Sequence, residues 1–91
     1  MTKRVHLFVS GKVQGVYFRQ SMKETADKNN VVGWVRNLPD QRVEAVLEGE
    51  ESCVDAVVDW SHFGPGGAVV QDLEITDESY KGEFSKFEIL Y

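Results

Sequence analysis

At 91 residues and 10.3 kDa the chain has room for one domain, residues 1–91, and a composition of 42% hydrophobic and 27% charged residues excludes disorder and fibrous repeats. The single cysteine, Cys53, excludes an internal disulfide framework and a paired-cysteine zinc site; no apolar run approaches the ~20 residues of a membrane span and no secretory signal precedes the first strand-like run, so a soluble cytoplasmic protein without a membrane partner is expected. The net charge of −5 is split, with seven Lys or Arg against two acids in residues 1–36 and three against thirteen in residues 37–91, which argues against nucleic acid as a partner but leaves a basic third able to hold a small anion.

Fourteen valines against five leucines favour a core built on a sheet. Residues Arg4 to Ser10 alternate, with Val5, Leu7 and Val9 on one face, and predict the first strand. A glycine loop, Gly11 to Tyr17, follows, and Phe18, Met22 and Ala26 then recur at helical spacing up to Asn29 and Asn30, residue types that end helices. Val31 to Leu38 predicts a second strand stopped by Pro39-Asp40. Arg42 to Glu48 predicts a third, paired with it in a hairpin and broken by Gly49. Glu50 to Phe63 suits a second helix, with acids at its N-terminal end and Cys53, Val54, Val57, Val58 and Trp60 on its apolar face. Beyond Gly64-Pro65-Gly66-Gly67, Ala68 to Thr76 predicts a fourth strand, Asp77 to Glu83 a polar loop, and Phe84 to Tyr91 a fifth strand anchored by Phe84 and Phe87.

The order βαββαββ implies an α+β sandwich of the ferredoxin-like, split βαβ kind: first four strands in the order 4-1-3-2, a mainly antiparallel mixed sheet, and both helices on one face. A right-handed βαβ unit puts the C-terminal ends of the first two strands at one edge. The glycine loop and the segment Asn37 to Asp40 therefore become neighbours.

The loop from Gly11 to Tyr17 runs straight into a helix, whose first N–H groups lack intrahelical acceptors and carry partial positive charge. Arg19 sits in the first helical turn, where a cation opposes the helix dipole by ~0.3–1 kcal/mol, and a bound anion would offset that. The same spacing also fits a plain turn with a solvated arginine. Cysteine-dependent phosphatase chemistry is excluded: the nucleophile position six residues before the arginine is Val13. Cys53 reads as core, His6 and His62 have no carboxylate at motif spacing, and the acids of the second half read as a solvated face. Asn37, unusual in a strand, either caps the following turn or works at the shared edge, where a neutral amide can hold a water by accepting one of its protons.

Gly11-Lys12-Val13-Gln14-Gly15-Val16-Tyr17-Phe18-Arg19 resembles the G-x-V-Q-G-V-x-F-R signature of the acylphosphatases. Gly33-Trp34-Val35-Arg36-Asn37 with Asp40, Val43 and Glu44 resembles their second signature, and the likeness extends through Gly64-Pro65, Ala68 and Val70 to the aromatic C-terminal strand. This resemblance implies hydrolysis of acyl phosphates to carboxylate and inorganic phosphate, with no metal, no cofactor and no covalent intermediate. It assigns phosphoryl binding to Arg19 and the backbone amides of Gln14, Gly15, Val16, Tyr17, Phe18 and Arg19, and water positioning to Asn37. Inorganic phosphate or sulfate is the expected product-like ligand, and a monomer is expected. In one departure, Asp40-Gln41 stands where the family has Asp-Gly. An anion-sensing module on the same fold is the alternative reading, whereas an RNA-binding sheet is disfavoured because the third strand lacks aromatics and carries acids.

Overall fold

The computed structural model describes residues Met1–Tyr91. Its elements are β1 (Thr2–Lys12), α1 (Phe18–Lys28), β2 (Val32–Asn37), β3 (Val43–Glu50), α2 (Glu51–Ser61), β4 (Val69–Glu78) and β5 (Phe87–Ile89). The sheet runs β4-β1-β3-β2-β5, so the expected ferredoxin-like order of the first four strands holds. β1 pairs antiparallel with β3 and β4, β2 antiparallel with β3, and β5 joins β2 in parallel.

Alternation decides which side of each strand is dry. Val5, Leu7 and Val9 of β1, Val35 of β2, and Val43, Ala45 and Leu47 of β3 face the helices and are fully buried. Against them α1 packs Phe18, Met22 and Ala26, one stripe at i, i+4 and i+8, and α2 packs Val54 and Val57. Ser61 is buried at the end of α2 and spends its hydroxyl on the carbonyl of Val57 at 2.8 Å. Cys53 lies on this helix half-buried, against the core rather than within it. No helix is long and apolar enough to cross a membrane.

The opposite face of the sheet carries charge. Arg4 donates to Glu78 at 2.8 Å, Glu48 at 3.2 Å and Glu83 at 2.5 Å. Its hydrogen bond to Glu78 above all, against the opposing effect of burial, pushes its pKa up. Glu48 is 0% exposed; burial penalises its charge, but the N–H of Lys81 and the Arg4 guanidinium outweigh that and hold its pKa down. This buried carboxylate thus fastens the loop before β5 to the sheet.

Several boundaries differ from the sequence reading. β1 extends through Gly11 and Lys12, which pair with Val70 and Val69 across a bulge after Ser10. β3 continues through Gly49 to Glu50 because Lys3 and Thr2 of β1 supply partners. β4 continues to Glu78, the register partner of Arg4, so two acids expected in a loop belong to the strand. The last strand shrinks to Phe87–Ile89, and the two expected anchors separate: Phe87 enters the core while Phe84 lies 5.3 Å from the Arg4 guanidinium on the other face. α2 also stops at Ser61 instead of Phe63, its end closing in turns from His62, Phe63 and Gly64 N–H groups to Asp59 and Trp60 carbonyls.

Candidate active site

The loop between β1 and α1 is shaped by two left-handed residues, Gly15 at φ 74° and Tyr17 at φ 62°. A Cβ at Gly15 would meet nothing within 4 Å, so glycine serves there for its backbone angle and not for lack of space. Tyr17 then leads into α1, and the Phe18 ring, 1% exposed and 5.2 Å from that of Trp60, nails the first turn to the core. Arg19, next in sequence, is left half-exposed.

From Gln14 to Gln20 no backbone N–H finds an acceptor within the chain; the first N–H of the helix to do so is that of Ser21, bonded to the Tyr17 carbonyl at 2.9 Å. A run of free donors at a helix start, beside a guanidinium, can accept an anion.

Asn37 ends β2, opposite Val43 of β3. Two residues after the buried Val35, it points to the helix side of the sheet, and its Oδ1 is buried without a hydrogen-bond partner in the chain. The turn beyond it is closed by Leu38 N–H to the Arg42 carbonyl at 2.8 Å and by Gln41 N–H to the Leu38 carbonyl at 3.2 Å. Asp40 accepts from the Arg42 side chain at 2.7 Å, which together with the Arg42 N–H holds its pKa below the usual carboxylate value. Gln41, at the position where the resemblance expects glycine, sits at φ 77°, in the left-handed region that favours glycine.

These elements enclose a cleft of about 390 Å³ lined by Val13, Gly15, Tyr17, Phe18, Arg19 and Gln20 on one side and Asn37, Ile89 and Tyr91 on the other. Arg19 and Asn37 therefore share one cleft, as the topology required. Gln14 and Val16 are not among its walls: Val16 packs against the core, and the Gln14 side chain turns to the hairpin beyond Asn37, donating to the Leu38 and Arg42 carbonyls. Arg19 makes no ion pair; its guanidinium lies 5.0 Å from the centre of the Tyr91 ring. Ile89 and Tyr91 were not singled out from the sequence, and the only signal for them was the aromatic character of the last segment.

No Asp, Glu, His or Cys side chain lines the cleft, whose titratable side chains are Arg19 and the phenols of Tyr17 and Tyr91. His6 is on the far face of the sheet between Glu44 and Glu78, His62 is exposed at the end of α2 and Cys53 is on α2. What the cleft offers is a fixed cation, free N–H donors and one buried amide oxygen. That set, on a ferredoxin-like sandwich, has the chemistry to hold a small oxyanion with a polar group beside it.

A family model for acylphosphatase matches residues 5–89. The acylphosphatase of Pyrobaculum arsenaticum is 60% identical over 88 residues, covering 96% of this chain and 93% of the relative, and that of Syntrophus aciditrophicus is 53% identical over 91 residues, covering 100% and 95%. The crystal structure of acylphosphatase from Bacillus subtilis superposes with a TM-score of 0.94 at 34% identity, over 100% of both chains. The chain belongs to the acylphosphatase family, and it is an enzyme.

Proposed function

We propose that residues 1–91 work as one catalytic unit that hydrolyses acyl phosphates to a carboxylate and inorganic phosphate by direct attack of a water on phosphorus, without metal, cofactor or covalent intermediate. The observation that carries this reading is the buried, unpartnered Oδ1 of Asn37 in the same cleft as Arg19. The phosphoryl group sits in the cradle, its oxygens taking the N–H groups of Gly15 to Arg19 and the fork of the Arg19 guanidinium. Charge on those oxygens in the transition state is met by donors already in place, so little reorganisation is needed. Asn37 Oδ1 accepts one proton of the water and aims its lone pair at phosphorus. An amide is no base near neutral pH, so its contribution is orientation. The carboxylate leaving group is good enough to depart without a general acid. Family membership supports the same reaction.

The unit is further proposed to act as a cytoplasmic monomer, with phosphate and sulfate as product-like ligands. The test is hydrolysis of a panel of acyl phosphates with and without excess chelator. Equal turnover in both supports the reading; turnover abolished by chelator and restored by a divalent cation overturns it.

A further inference from the structure

Gln14 belongs to the glycine loop, yet its side chain reaches across to the hairpin: Nε2 donates to the Leu38 carbonyl at 2.8 Å and to the Arg42 carbonyl at 3.0 Å. Those carbonyls sit at the two ends of the turn that begins immediately after Asn37, and the Arg42 carbonyl also closes that turn by accepting from Leu38 N–H. The β1–β3 ladder ends at Val9 opposite Val43, after which β1 pairs with β4 alone. Beyond that point the two bonds from Gln14 are the only hydrogen bonds joining the loop to the turn. Among side chains neutral at pH 7, only a primary amide brings two N–H donors to a single atom, and both are used here.

We propose that Gln14 is a positioning residue: its carboxamide fixes the separation and orientation of the anion cradle relative to the Asn37 amide. This rests on the water-holding reading of Asn37. A displacement of about 1 Å between reacting groups can cost ~100-fold in rate, so a tie at this place acts on turnover. Phosphate affinity, which comes from one side of the cleft, is left alone.

The test uses Gln14→Glu and Gln14→Met in the full chain. In Gln14→Glu a carboxylate faces two carbonyl oxygens with no proton to give, and kcat at neutral pH is expected to fall ~10–100-fold, with competitive inhibition by phosphate changed less than ~3-fold. As pH is lowered the introduced carboxyl regains a proton, donates again, and kcat relative to wild type rises. Gln14→Met keeps the length without donors, so its kcat is expected to be low at every pH, and it carries the test should the glutamate variant not fold. A merely structural residue would lower the melting temperature without the pH-dependent recovery or the split between kcat and phosphate affinity. Wild-type kcat in both variants at neutral pH overturns the proposal, as does phosphate affinity falling in step with kcat. Asn37→Ala, assayed alongside, separates the two claims: impaired Asn37→Ala with unimpaired Gln14 variants sinks only the positioning role, whereas wild-type turnover in Asn37→Ala sinks the water reading beneath it.

Discussion

The Nε2 of His6 lies 2.6 Å from Oε2 of Glu44, while its Nδ1 faces Glu78 at 2.9 Å, so the imidazole is clamped between two carboxylates on the face of the sheet opposite the cleft. Burial disfavours the charged ring, but hydrogen bonds to Glu78 and Glu44 outweigh it and raise its pKa above the ordinary 6.5. Glu44 behaves conversely: burial pushes its pKa up, the bonds from His6 and Arg36 win, and it ends below 4.5. Glu78 is lowered by Arg4 and then His6.

Stability from His6 is therefore full below pH 6.5 and is lost as pH rises through its higher folded value, while that from the carboxylates is present above pH 4.5 and lost as pH falls through their lower ones. Urea midpoints of wild type and His6→Gln should differ most between these limits and converge as the pH is raised past the ring's folded pKa. A constant difference from acid to alkaline pH would show that the ring is not charged in the fold.

Gln41 holds φ at 77°, a conformation that costs a residue with a Cβ ~1–2 kcal/mol. Gln41→Gly removes that strain but adds freedom to the unfolded chain worth ~0.5–1 kcal/mol. A net stabilisation of ~0.5–1 kcal/mol with unchanged kcat is expected from chemical denaturation and steady-state assay. Destabilisation would mean that the glutamine side chain contributes to the turn.

If the free N–H groups from Gly15 to Arg19 form a cradle, phosphate and sulfate should stabilise the fold specifically. At a hundred times its dissociation constant a ligand adds about 2.7 kcal/mol, readily seen in a melting curve. Chloride at matched ionic strength is the control for screening, and Arg19→Ala should abolish the specific part. Equal stabilisation by chloride would reduce the loop to a turn.

Much of this was legible in the sequence because local pattern and tertiary demand agree there. Val5, Leu7 and Val9 alternate and are all buried; Phe18, Met22 and Ala26 recur at four and do form the buried stripe of α1. Once the split βαβ order was in hand, the meeting of Arg19 and Asn37 followed from topology alone. The second half was less legible because distant partners decide it. Glu78 reads as loop by composition, yet Arg4 and His6 across the sheet make it strand. The bend that sends Phe84 to one face and Phe87 to the other follows a loop held by Glu48 accepting from the Lys81 N–H, a contact 33 residues apart. The same holds for the cleft: Tyr91 reaches it only because β5 pairs in parallel with β2, and the reach of Gln14 to the hairpin has no local signal.

Arg19→Lys keeps the charge but offers one ammonium in place of a planar fork. Loss of a preorganised transition-state donor costs ~100–1,000-fold, and kcat/KM of the lysine variant should fall by at least ~10-fold, nearer to alanine than to wild type. Near wild-type kcat and KM would reduce Arg19 to a counter-charge that any cation can supply.

The division of labour in the cleft, with Arg19 and the loop binding the phosphoryl group and Asn37 aiming the water, is tested most directly by one comparison. In wild type and Asn37→Ala, kcat for an acyl phosphate and the inhibition constant of inorganic phosphate are measured together, with chelator present. The account predicts that kcat falls ~100-fold or more while the phosphate constant stays within ~3-fold. Undiminished kcat, or a phosphate constant that collapses with turnover surviving, would contradict it and make Asn37 a bystander or a phosphate ligand.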